Sequence, residues 1–191
     1  IIMVPAMYSA SFECTFGSFT RMTEQKTYDG ILATPLSVGD LVMGEILWGA
    51  TKSLISGSIM LFIIYLAGLM KSSILMFIPI LMLIFLIGFL FASLAMIATA
   101  LSPSYDFFNY FFIFFLTPMF FFSGIFFPLS NFPAWVKVVS NLMPMTHAVN
   151  ISRYFLSNIN YSHIFSSTLV LIACTIIFSF LSVSLIKKRI I

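Results

Sequence analysis

Residues 73–101 read SILMFIPILMLIFLIGFLFASLAMIATAL, twenty-nine residues without one charged side chain. Coiled as a helix at about 1.5 Å per residue, the stretch reaches about 44 Å, more than the roughly 30 Å of a hydrocarbon core. It shows none of the apolar–polar alternation of a membrane β-strand. The stretch therefore predicts a membrane-spanning helix, and the chain around it repeats the theme. Further apolar runs at about 1–20, 48–70, 107–127 and 165–186 make five spans. The expected fold class is all-α, a polytopic helical membrane protein whose single domain covers 1–191. Composition agrees: 61% of residues are hydrophobic and 8% charged, against about 25% charged in soluble domains.

The net charge of +3 is too small to argue for nucleic acid as a partner. Cys14 and Cys174 both fall in apolar segments without metal-ligand spacing, so they read as small hydrophobes and no metal site is expected. No GxxxxGK[ST] nucleotide-binding loop occurs in the chain, and no catalytic pairing of His, Asp or Glu is visible. A membrane-embedded transferase would need such a cluster at one membrane face. An ion-coupled transporter would need titratable relays and repeats, of which Glu13 is the one hint.

Glu13 lies inside the first apolar run, where a carboxylate costs on the order of 2.5–3.5 kcal/mol on insertion scales. It shares a helical face with Ser9 and Gly17. Two readings stay open: a polar site facing the bundle, or a carboxylate solvated near the interface two turns from Arg21. The same run is rich in small residues, which let helices approach closely in a membrane. The run 107–127 holds twelve aromatics and Pro118. Its rings suit lipid-facing and packing bulk, or an apolar path for a lipid-like substrate, and Pro118 is placed to kink it.

Against this background the segment 21–47 is a polar island holding six of the fifteen charged side chains. Alternating five spans puts it on the same side as the terminal Lys187–Lys188–Arg189. That side gathers six of the nine basic residues, with Lys71, Lys137 and Arg153 opposite. The positive-inside rule makes it cytoplasmic. Thr23 is a candidate cap for a helix from Glu24, and Pro35 should stop that helix by about Ala33. About ten residues of helix are marginal alone in water, so packing must hold it. Lys26, Tyr28 and Asp29 are expected to be available outside the membrane, with Ile31 and Leu32 as anchors. Ser37 and Asp40 are spaced for a capping box opening the next helix. The residues alone allow a connecting loop or a docking helix.

On the other side, 128–164 is punctuated by prolines. The piece from Pro133 to Leu142 spans only about 15 Å, and Trp135 and Lys137 suit an interfacial helix. A second polar helix follows at about 146–157 and carries His147, a candidate outer gate or headgroup contact together with Trp135. His163 has no evident partner.

The stretches SASFECTFGSFTRM (9–22), QKTYDGILATPLSVGDLVMGEILWGATKS (25–53) and FFSGIFFPLSNFPAWVKVVSNLMPMTHAVNISR (121–153) resemble the membrane permeases of type-2 ATP-binding-cassette (ABC-2) exporters. Among these they are most similar to the NodJ-like permeases associated with lipo-oligosaccharide export. The resemblance implies six spans, a cytoplasmic coupling helix docking on a separate ATPase, and paired outer helices before the last span. It implies docking through Glu24, Gln25, Lys26, Thr27, Tyr28, Asp29, Ile31 and Leu32. It further implies a permease homodimer among membrane lipids in the bacterial inner membrane, with ATP and Mg on the partner subunit and no cofactor on this chain. Drugs or other lipids are alternative substrates within the same broad family. The chain opens IIMVPAMYSA inside an apolar run without a basic n-region. A secretory signal peptide is therefore not expected, and the opening is read as lying in or just before the second of six spans.

Overall fold

A computed structural model describes residues 2–68, 76–125, 133–157 and 164–190. Lys71, Pro128 and His163 lie outside the described residues. The described residues form helices and no strand, which establishes the all-α class. Three helices are long and apolar enough to cross a membrane: α4 (Val38–Leu66), α5 (Phe77–Leu101) and α10 (Ile164–Ile190). The first run forms α1 (Met3–Phe12), a π-helical turn (Glu13–Gly17) and α2 (Ser18–Thr23) without interruption. The aromatic run is built alike, from α6 (Asp106–Phe111), a second π-turn (Phe112–Leu116) and α7 (Thr117–Phe122).

Helix α5, which forms the greater part of the uncharged stretch 73–101, packs against α1, α4 and α10 and is the centre of the bundle. Small residues allow that closeness. A Cβ added at Gly88 would lie 2.5 Å from the Ser53 Cβ, and one at Gly49 would lie 2.6 Å from the Cys14 Sγ. With hydrocarbon on the outside, helices gain from van der Waals approach rather than from leaving water. The outward faces are apolar in turn: Ile55, Ile59 and Phe62 on α4 and Ile176 and Phe180 on α10 are exposed.

Both π-turns have local chemistry at hand. In the first, the Thr99 hydroxyl of α5 donates to the Cys14 carbonyl at 2.6 Å. In the second, Thr117 Oγ1 donates to the Phe112 carbonyl at 2.9 Å. The second π-turn ends two residues before Pro118, which has no N–H to give its ladder. Pro118 thus stands at a π-turn, one of the recognised causes of a break in helical regularity.

Between α2 and α4 the chain departs from the expected helix. Thr23 does not cap a helix at Glu24; it ends α2, and its hydroxyl donates back to the Phe19 carbonyl at 2.7 Å. The break falls at Lys26, the one non-glycine residue with positive φ (50°) among those described. Helix α3 is then only Thr27–Leu32. It stops before Pro35, and Ser37 and Asp40 form the expected capping box, with each side chain bonded to the other's backbone N–H. Helix α4 starts at Val38, directly after the Ser37 of that capping box, and runs without a break to Leu66, through most of the expected span. On the far side, α8 (Ala134–Leu142) and α9 (Pro144–Ser157) are the paired short helices.

Candidate functional site

Four charged side chains from the first run and α4 meet in one cluster. Glu13, at the first position of the π-turn, accepts from both terminal guanidinium nitrogens of Arg21 at 3.1 Å through Oε1. The same oxygen accepts from the Trp48 indole at 3.0 Å. Its Oε2 accepts from Lys52 Nζ at 2.5 Å. Arg21 also reaches Glu45, its Nε donating to Oε1 at 2.8 Å and its Nη2 to Oε2. The Ser18 hydroxyl donates to Glu45 Oε2 at 2.7 Å. Lys52 lies over the Trp48 ring, 5.4 Å from its centroid.

Two carboxylates against one guanidinium and one ammonium leave the cluster with no net charge. Glu13 is paired with both cations. It faces α4 inside the bundle, with its side chain 12% exposed, and it carries its own countercharges. The Ser9–Glu13–Gly17 face is real as well. Ser56 donates to Ser9 at 3.1 Å, and a Cβ on Gly17 would lie 3.1 Å from the Glu13 carboxylate. Glycine there leaves the carboxylate its place.

Glu45, Trp48 and Lys52 were not singled out from the sequence as a group. The signal was present: spacings of three and four residues put all three on one face of α4. What the sequence lacked was the register between α1 and α4 that makes Glu13 and Arg21 their partners.

Arg21 ends this cluster and leads into the polar island. Glu24, Gln25, Lys26 and Asp29 are exposed, whereas Thr27, Ile31 and Leu32 are half-buried. Tyr28 corrects the sequence expectation. It is 1% exposed, with its ring in the core, and is not available outside the membrane. A six-residue helix needs a large apolar root to stay in place, and Tyr28 supplies it. Burial pushes its phenol well above the usual tyrosine range. Among the described residues its hydroxyl has no hydrogen-bond partner.

On the far side His147 ties three helices together. Its Nε2 is 2.9 Å from the Asn141 carbonyl and its Nδ1 is 2.9 Å from the Ser167 hydroxyl. A carbonyl only accepts, so Nε2 carries the proton in the neutral ring and Ser167 donates to Nδ1. Trp135 is 67% exposed on α8, along with Val138, Val139 and Leu142. Among the described residues no group of three His, Cys, Asp or Glu side chains could hold a metal.

The described residues form a multi-pass helical membrane domain, with the short helix α3 between α2 and α4 and the helix pair α8 and α9 ahead of α10. The comparison with known families agrees: residues 1–157 match the ABC-2 type transporter family, and the chain belongs to it. It is 41% identical over 154 residues to nodulation protein J of Sinorhizobium fredii (strain NGR234), covering 80% of this chain and 58% of that protein. It is 33% identical over 190 residues to nodulation protein J of Rhizobium meliloti (strain 1021), covering 99% of this chain and 71% of that protein. The chain thus spans between about half and three quarters of the relatives it matches. The family is one of membrane transport subunits.

Proposed function

We propose that this chain is the permease part of an ATP-driven exporter in a bacterial inner membrane. In this reading the segment from Glu24 to Leu32 docks on a separate ATPase that binds ATP and Mg, and two copies of the permease enclose the pathway. The observation that carries it is the division of labour in this segment. Glu24, Gln25, Lys26 and Asp29 are exposed, while buried Tyr28 roots the helix, and Arg21, in the preceding helix α2, sits in the charge cluster with Glu13 and Glu45. A push on α3 therefore meets a rooted helix next to the ion pairs that join two spans. The substrate class favoured by the resemblance is a lipid-linked saccharide such as a lipo-oligosaccharide, with drugs or other lipids as alternatives in the same family. An ion-coupled mechanism gains little support from Glu13, whose carboxylate is already paired with Arg21 and Lys52.

The test is Asp29→Arg in the full-length permease with its ATPase. Reversing an exposed charge on α3 should reduce transport-linked ATP hydrolysis severalfold while the thermal melt of the permease stays unchanged. Unaltered coupling in a normally docked complex would remove Asp29 from the docking surface.

A further inference from the structure

The three basic residues that end α10 divide. Arg189 turns inward: its guanidinium donates to the carbonyls of Thr99 and Ala100 at the end of α5 and lies 5.4 Å from the centre of the Phe19 ring. Lys187 and Lys188 are exposed, and among the described residues neither forms an ion pair. Lys187 borders a groove of about 600 Å³ between α10 and the chain around the start of α4. The apolar walls of that groove are Leu32, Leu36, Val38 and Val183. Leu36 is 51% exposed. The Asp40 carboxylate on the same stretch is taken up by Ser37, whose N–H and Oγ donate to it at 2.9 and 2.6 Å. It does not reach Lys187 as a counterion.

We propose that this groove binds an anionic phospholipid of the cytoplasmic leaflet, its headgroup phosphate on Lys187 and an acyl chain along Leu36, Val38 and Val183. Charge and position both select this occupant. The groove lies where the apolar stretch of α10 gives way to lysines, the level at which ammonium groups reach headgroups while their stems stay on apolar surface. Basic pockets between membrane helices on that side recruit anionic headgroups, each basic residue near the surface contributing about a fivefold gain in binding. A neutral lipid would fill the apolar wall and leave Lys187 without a counterion. The choice of leaflet rests on the cytoplasmic placement of α3 proposed above.

The experiment uses the full-length permease without its ATPase, in nanodiscs of phosphatidylcholine carrying a small fraction of photoactivatable phosphatidylglycerol. Crosslinked residues are mapped by mass spectrometry. The proposal expects labelling on residues 32–39 and 183–187, displaced by unlabelled phosphatidylglycerol and not by phosphatidylcholine. Lys187→Ala should lower that labelling about fivefold, and Lys187→Glu further, whereas Lys187→Arg should retain it. Both lysines are exposed, so a thermal melt is expected to show the variants folded. Equal labelling by a photoactivatable phosphatidylcholine, or labelling unaffected by Lys187→Glu, overturns the site. The docking assignment is read separately from Asp29, so either idea can fail alone.

Discussion

Glu13 and Lys52 are 39 residues apart in the chain and meet at 2.5 Å between carboxylate and ammonium. This contact fixes the register of α1 against α4, and Arg21 closes the other side of the same carboxylate. Removing the acid takes from Lys52 its ion-pair partner and from the Trp48 indole its acceptor, while Arg21 keeps Glu45; removing Lys52 leaves Glu13 still paired with Arg21. Hydrogen bonds to a charged group are worth about 1.5–3 kcal/mol, while a half-exposed ion-pair partner is worth about 1 kcal/mol or less. Glu13→Ala should therefore destabilise the solubilised protein by about 2 kcal/mol, and Lys52→Met by about 1 kcal/mol or less. Unfolding in mixed micelles measures both, and the double variant should cost less than the sum.

Close approach of α4 and α5 gives a second prediction. Gly88→Ala would press a methyl group against Ser53 and the Ala50 Cα. Overpacking of this kind costs about 1–3 kcal/mol, and Ser53→Gly in the same chain should recover part of it. Gly30→Ala is the contrast, since nothing lies within 4 Å of the added atom. A helix-interior alanine there should be neutral or favourable by up to about 1 kcal/mol. Equal melts for Gly88→Ala and Gly30→Ala would contradict the packing described.

Tyr28 makes a prediction of its own because its ring is buried and its hydroxyl lacks a partner. Tyr28→Phe should leave stability unchanged or raise it slightly. Tyr28→Ala should cost about 3–5 kcal/mol, by analogy with other buried aromatics. The raised phenol also sets a pH dependence. The unfolded chain ionises Tyr28 near pH 10 while the folded chain keeps the proton. Stability thus falls as pH climbs above about 10, with a slope that Tyr28→Phe reduces. An unchanged alkaline slope in Tyr28→Phe would contradict the buried placement.

Arg189 holds the last carbonyls of α5. Hydrogen bonds to a charged group are worth about 1.5–3 kcal/mol, so Arg189→Ala should destabilise by about 2 kcal/mol. Lys188→Ala, on the exposed side of the same turn, should change stability by less than about 0.5 kcal/mol. Similar melts for the two would mean that the α10 terminus does not cap α5.

Much of this architecture is legible in the residues, because hydrocarbon imposes simple demands on length and charge. The uncharged 73–101 stretch reads as a buried or membrane-crossing helix, and its described part, α5, is the centre of the bundle. The Ser37–Asp40 capping box and the stop before Pro35 were also legible, since both are local chemistry. Long-range register was not. Glu13 announced the need for a partner, but Arg21, Trp48 and Lys52 were assigned to it only by the packing of α1 on α4. The start of α3 was misread at Thr23, because a threonine inside the preceding helix can satisfy its hydroxyl on the carbonyl four residues back. Tyr28 was misread as outward-facing because its neighbours are polar, although a helix so short needs one large side chain turned in.

Docking of a separate ATPase on α3 is the proposal on which the reading of this chain turns. Site-specific photocrosslinking from position 29, with position 25 as a second exposed probe, tests it in intact membranes that carry out export. With docking on α3, both positions capture an ATPase subunit, while a probe at buried position 28 captures only the permease itself. Export-competent membranes in which positions 25 and 29 capture no ATPase would contradict it.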